Sequence, residues 1–262
     1  VLDWDKLPAA LPWDRLDLLV LADARRVPVE ARGLVVAALH SAGKVLCVGA
    51  PAFREILVST PHGWKSRADW RRAYADSLAR QPLVVAPEAW SRQCQDQARA
   101  SALVPDPTAG ADAWKITTDL KGWDTWRAEV PGAFASTRPL LAFEAKGDAT
   151  TPQLLIECTE QDGSRWMAVV ELTTEWQSVV LRPSDFTYWH DSRSQGRGGA
   201  GDQLRPENIA ALVVGLANSH THKVPNGPHT YWVRGLSTAG DPGLPNPDFS
   251  VPEVEALSPS YK

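Results

Sequence analysis

The pattern of hydrophobic and polar positions changes character near residue 105. Before it, continuous apolar runs alternate with segments of helical period. Leu16 to Ala22 and Lys44 to Gly49 read as strands buried on both faces of a parallel sheet. Between them a helix is predicted from Pro28 through His40, with Leu34, Val35, Ala38 and Leu39 on one face and Gly43 as the stop. Ala68 to Arg80 and Ala89 to Ala102 are predicted as further helices, flanking a short strand at Pro82 to Ala86. After residue 112 helical period disappears. Strand-like runs recur between turn signals at 114–119, 139–145, 153–159, 165–171, 176–181, 210–216 and 230–236, the signature of an antiparallel sandwich. Asp162-Gly163 is a hairpin signal between the third and fourth of them.

The predicted fold class is therefore a partial, flavodoxin-like α/β domain with a parallel sheet, followed by an all-β jelly-roll sandwich. The boundaries read as 1–104 for the α/β part, 105–112 for a Pro- and Gly-containing linker, 113–241 for the sandwich and 242–262 for a Pro-rich tail. The chain opens at Val1 without a charged-then-apolar leader, and the expectation is a piece of a longer protein or a mature product. No apolar run approaches the ~20 residues needed to span a bilayer, so no membrane association is predicted. Lys and Arg number 27 against 31 Asp and Glu, a net charge of −4 that offers a phosphate backbone little to neutralise and argues against nucleic acid. Three cysteines, Cys47, Cys94 and Cys158, have neither metal-ligand spacing nor an even count.

Tryptophan is the informative composition. Its 12 copies outnumber 5 Phe and 4 Tyr, and an exposed indole is a stacking platform with one hydrogen-bond donor. Trp123 and Trp126 lie three apart among polar residues. Tyr188-Trp-His-Asp191 and Arg193 precede the flexible Gly196 to Gly201, inside a connection from Ser184 to Asn208 long enough to suggest a binding loop. Trp189 either stands out to stack on a ligand or folds inward to plug the sandwich. Trp176, in phase with the apolar positions of its strand, is assigned to the core. In the fourth strand either Trp166, Ala168 and Val170 or their alternates face inward, which leaves Trp166 open. In the third strand Leu154, Ile156 and Cys158 point one way and Gln153, Leu155 and Glu157 the other, so Gln153 and Glu157 either line a ligand-facing sheet or form a solvated one.

The segments Trp176 to Phe186, Asp202 to Gly215 and Tyr231 to Leu236, in that order and spacing, resemble the galactose-binding-like β-sandwich domains, a superfamily that includes many carbohydrate-binding modules of bacterial polysaccharide-degrading enzymes. The resemblance covers Trp114 to Asp241. It implies a non-catalytic module that binds a polysaccharide or oligosaccharide by aromatic stacking and polar contacts. The candidate carbohydrate-binding residues are Trp123, Trp126, Glu157, Trp166, Tyr188, Trp189, His190 and Arg193. It implies further domains of the same protein as partners, and a secreted, periplasmic or cell-surface location. Many relatives hold a structural calcium ion near the first and last strands. Here Arg234 and Gly235 stand where an acid is expected, while Asp119, Glu144 and Asp241 leave a calcium site possible and no other cofactor is expected.

In the first part, the strand running into Cys47-Val-Gly-Ala-Pro51 resembles the class I glutamine amidotransferase-like proteins, whose cysteine sits on a strand-to-helix turn. Val45 replaces the glycine of that turn, and His40 and His62 are weak candidates for the base. The implied role is an inactive accessory domain of the kind found in large bacterial glycoside hydrolases. The rival readings are a Cys47-dependent amidohydrolase and a structural or protein-docking spacer. The latter predicts a contiguous apolar patch instead of exposed aromatics.

Overall fold

The computed structural model describes residues 17–22, 25–29, 33, 45–49, 55–60 and 63–243. These fall into two units, one formed by 1–73 with 244–262 and one by Tyr74–Gly243.

In the first unit, strand β1 (Leu19–Ala22) pairs in parallel with β3 (Val45–Val48) as a two-stranded sheet. A separate sheet joins β2 (Arg26–Pro28), β4 (Glu55–Thr60) and β5 (Gly63–Ser66) in that order, parallel then antiparallel. The flavodoxin-like α/β domain is not what forms. The parallel pairings are confined to two small sheets, and Val20, Leu46 and Val48 are about half exposed where a doubly covered sheet would bury them. Pro28 is the last residue of a strand, and helical backbone follows it at Val29 and Gly33. The rest of the predicted 28–40 helix except Val29 and Gly33, together with His40, His62 and the 242–262 tail beyond Gly243, lies outside the described residues, as does the side chain of Cys47. The expected helix at 68–80 is present as α1 (Arg67–Ser77), with Asp69 in its first turn accepting from and donating to Ser66.

The third expected helix, 89–102, is replaced by two strands, β7 (Ser91–Cys94) and β8 (Ser101–Pro105). Both belong to the sandwich. The predicted segment carries alanines at 89, 98, 100 and 102, which give helical propensity, but each strand lies along a sheet edge that would otherwise leave backbone groups unpaired. The stretch 106–113 connects β8 to its antiparallel neighbour β9 (Trp114–Leu120). The remaining strands are β6 (Arg80–Pro82), β10 (Trp123–Glu129), β11 (Leu140–Gly147), β12 (Gln153–Glu160), β13 (Arg165–Glu171), β14 (Gln177–Leu181), β15 (Thr187–Tyr188), β16 (Ile209–Ala217) and β17 (Gly227–Ala239). One sheet runs β15-β13-β12-β16-β10-β7; the other runs β14-β11-β17-β9-β8, with β6 on the end of β17. All pairings in these two sheets are antiparallel. Gly163, at φ +86, makes the β12–β13 turn that Asp162 closes by accepting from the Ser164 backbone at 2.8 Å.

Strand alternation sets what fills the space between the sheets. Leu154, Ile156 and Cys158 from β12, Trp166, Ala168 and Val170 from β13, and Leu212, Val214 and Leu216 from β16 meet Ile116, Phe143, Tyr231 and Val233 of the opposite sheet. Burial pushes the Cys158 thiol and the Tyr231 phenol well above their ordinary pKa values. Strand β10 breaks the apolar pattern, because its inward residue Asp124 is only 2% exposed. Arg92 of β7 holds that carboxylate at 2.6 Å, and Thr118 of β9 and Ser101 of β8 donate to it from the facing sheet. One acid thus ties both sheets together at one end. Asp124→Ala is expected to lower stability by about 3–5 kcal/mol, the cost of leaving a paired, largely sequestered charge without its partner, read as a lower denaturant midpoint in equilibrium unfolding.

Candidate functional site: a cleft over the β15–β7 sheet

The outer face of the first sheet is not flat solvent. A cleft of about 1140 Å³ lies over it, with residues of β7, β10, β12, β13, β16 and the segment after β15 along its sides. Its floor can be read as rows of cross-strand partners. Trp123 stands beside Ala217; Thr125 beside Gly215 and Leu155; Arg127 beside Val213, Glu157 and Met167; Thr159 beside Arg165. The Trp189 backbone N–H then donates to the Arg165 carbonyl at 2.8 Å, extending the last row. The two cleft indoles come from backbone segments separated by β13, β12 and β16, but the Trp189 ring reaches back across the floor towards Ala217, the cross-strand partner of Trp123.

Trp123 is 40% exposed. Trp189 neither stands free nor plugs the core. It rests on the floor formed by Leu155, Met167 and Ala217, with His190 at 4.2 Å and His220 at 4.5 Å between ring centroids. Desolvation lowers the His220 pKa, and neighbouring Glu157 opposes that shift, so the imidazole is neutral near pH 7. At the centre of the floor Glu157, only 4% exposed, takes both Nε and Nη2 of Arg165 at 2.8 Å and a hydrogen bond from Thr159. The bidentate geometry raises the Arg165 pKa above its ordinary value. Arg193 and Asp191 rise from the far wall with no hydrogen-bond or ion-pair partner among the described residues.

That wall is the 184–208 connection, and it is pinned by Arg197, which is only 7% exposed. Its guanidinium reaches Glu160 at 2.6 Å, Asp202 at 2.8 Å and Asp162 at 2.9 Å, and lies 5.4 Å from the Trp166 ring centroid. Gly198 belongs in this loop for a steric reason, since a Cβ there would fall 2.2 Å from the Tyr188 ring.

Of the sequence-predicted residues, the structure brings Trp123, Glu157, Trp189 and Arg193 to the cleft. His190 packs on Trp189 and is exposed beside it. Trp126 and Trp166 do not reach it. Both face the core on the inward alternation of β10 and β13, and Trp166 is 2% exposed. Tyr188 also packs against the core, edge-on to Trp166 at 5.4 Å, with its hydroxyl on Ser194. Sequence reasoning passed over Thr125, Arg127, Thr159 and Arg165, although the first three are each two residues from a named candidate or from one another, and Arg165 is the cross-strand partner of Thr159. His220 sits after β16 and carries no local signal. The carboxylates considered for calcium do not converge. Asp119 pairs with Arg99, Glu144 with Arg234 and Asp241 with Arg182, and no cluster of three or more potential metal ligands exists among the described residues. Among the same residues, no helix is long and apolar enough to cross a membrane.

No protein-family model matches this chain, and no curated protein matches its sequence. Solved structures do. The carbohydrate-binding module CtCBM11, determined in solution, superposes with a TM-score of 0.50 at 15% identity over 64% of this chain and 98% of its own. The family 11 carbohydrate-binding module of the cellulosomal cellulase Lic26A-Cel5E of Clostridium thermocellum gives 0.48 at 14% identity over 63% and 96%. At these identities the likeness to CtCBM11 shows a shared β-sandwich fold.

The loop anchor is open to test by pH. The carboxyl of Asp202 is held down at about 2, chiefly by Arg197 and the Gly198 backbone N–H, against an ordinary 3.8. Its contribution is therefore present above pH 3.8 and disappears as pH falls through about 2. Acid unfolding followed by tryptophan fluorescence is expected to show that loss in the native chain between pH 4 and 2, and a flatter profile in Asp202→Asn.

Proposed function

We propose that this chain is a non-catalytic carbohydrate-binding region of a larger glycan-degrading protein, and that the cleft over the β15–β7 sheet receives a polysaccharide or oligosaccharide chain. The observation that carries this reading is the pair of cleft tryptophans, Trp123 and Trp189, which line one cleft together with a charge-paired, hydrogen-bonding strip formed by Glu157 and Arg165. A pyranose offers a patch of C–H groups and a rim of hydroxyls. The indoles answer the first, and Arg165, Glu157, Asp191 and Arg193 answer the second with charge-assisted hydrogen bonds. The fold shared with a carbohydrate-binding module supports the reading. Recognition of a glycan substrate also agrees with action outside the cytoplasm, beside further domains of the same protein.

The docking-spacer alternative predicts a contiguous apolar patch. The exposed large apolar side chains of this unit, Val84, Val104, Trp123 and Val169, come from four separate segments.

Affinity electrophoresis across plant, algal and bacterial polysaccharides is expected to show retardation by at least one neutral glycan. Trp189→Ala and Trp123→Ala should each weaken it by about 1 kcal/mol or more while leaving the unfolding midpoint within the ordinary surface-mutation range. Absence of retardation on every glycan, or loss of the fold in both variants, refutes the proposal.

A further inference from the structure

The opposite sheet carries a second array of indoles that the cleft does not use. On its solvent face β17 presents Trp232, whose cross-strand partners are Lys115 of β9 on one side and Lys146 of β11 on the other. Trp176, expected in the core, instead precedes β14 and stands one step beyond the Ala145–Gln177 pair, at the level of Lys146. The result is one straight row across four strands: Lys115, Trp232, Lys146, Trp176. Lys146 Nζ lies 4.7 Å from the Trp232 centroid and 5.2 Å from that of Trp176, and Lys115 Nζ lies 5.7 Å from Trp232. The Arg234 guanidinium covers Trp176 at 4.2 Å. Trp232 is locked in orientation by donating its indole N–H to Asp106 at 3.0 Å.

The charge state of this row matters. Arg234 is neutralised by Glu144 at 2.7 Å, but Lys115 and Lys146 have no carboxylate partner among the described residues. Lys146 lies against two ring faces, and Lys115 lies near the Trp232 ring and within electrostatic reach of Asp106, the carboxylate that holds the Trp232 indole. Neither ammonium group is tied up in a salt bridge, so an incoming anion need not break one; Asp106, already committed to the Trp232 indole, is the acid it meets beside Lys115. The two indoles repeat at two strand spacings, about 10 Å, with an ammonium between them.

We propose that this row is a second binding site, for an anionic polysaccharide whose ring-borne carboxylate or sulfate groups meet Lys115 and Lys146 while its sugar rings pack on Trp232 and Trp176. An alternating apolar and cationic row at fixed period suits a ligand that alternates the same way. An acidic peptide fits less well. The row crosses the middle of a sheet whose backbone groups are already paired, so a peptide strand has no edge to extend. Because the site lies on the sheet opposite the cleft, it stands or falls independently of the glycan reading given above.

The test uses the full chain and tryptophan indole N–H resonances, titrated in turn with polygalacturonate, iota-carrageenan, a neutral β-glucan and poly-glutamate. Either anionic polysaccharide is expected to shift the Trp232 and Trp176 signals, more weakly as salt is raised, and which of the two does so identifies carboxylate or sulfate as the recognised group. Lys115→Gln/Lys146→Gln, checked for an unchanged fold by circular dichroism, should lower that affinity about tenfold or more, the size of a lost charge-assisted contact. The proposal is overturned if neither anionic polysaccharide moves those two signals, if the double variant binds as well as the native chain, or if poly-glutamate competes equally. Shifts at Trp123 and Trp189 with neutral β-glucan bear on the cleft alone.

Discussion

Three carboxylates of the sandwich unit, Asp124, Glu157 and Glu160, are almost sealed from solvent, and each is held by one guanidinium. A buried acid without a partner costs several kcal/mol, so these pairs dictate what the surrounding chain can do. Arg92 on Asp124 secures the β7 edge and, through Thr118 and Ser101, the facing sheet. Arg165 on Glu157 lets a charged residue occupy the middle of the cleft floor. Arg197 on Glu160 draws the 184–208 connection down against the end of β12. Remove the pairs and the two sheets could still pack through their apolar faces, but the cleft would lose an edge, its centre and a wall.

The same pairs explain what was legible in the sequence. Period-two alternation in β12 and β13 was readable, and it separates Leu154, Ile156 and Cys158 from the cleft-lining Leu155 and Glu157; Gln153, on the same alternation, is instead bonded to Glu171 and the Lys223 backbone. The bounds of β13 match the pattern residue for residue. Strand β10 went unread because a charged Asp124 occupies an inward position, and only Arg92, thirty-two residues earlier, makes that tolerable. Trp166 was undecidable on its own strand, since Met167 and Val169 make the outward alternation of β13 apolar as well, although of that set only Met167 is buried. The misplacement of Trp176 has a different origin. It sits one residue outside β14, where strand phase no longer fixes direction, and Lys146 and Arg234 hold it on the solvent face. The predicted 89–102 helix failed because the alanines around β7 and β8 give the segment a helical composition while the open edges of both sheets take its backbone as strands.

Tryptophan abundance is a compositional fact with three structural meanings here. Trp166, with its indole N–H buried and unpartnered, is packing. Trp123 and Trp189 border a cleft. Trp232 and Trp176 are spacers in a cationic row. What separates these roles is the neighbour on each ring: aliphatic core for the first, imidazoles and open volume for the second, ammonium and guanidinium groups for the third. Counting indoles alone would have assigned all of them to one function.

The glycine-rich loop shows why a flexible-looking sequence need not give a flexible site. Gly196 to Gly201 would be costly to order on ligand binding, because each unrestrained residue gives up backbone entropy. Arg197 removes most of that cost in advance. Its guanidinium spans Glu160 on β12, Asp162 at the hairpin and Asp202 at the loop's far end, so the segment is closed on itself and onto the sheet before any ligand arrives. Arg193, four residues earlier, is carried on this anchored segment and keeps its own guanidinium uncommitted. A rigid wall bearing a free donor is the arrangement that converts hydrogen bonds to a sugar into affinity, since little of their enthalpy is returned as ordering.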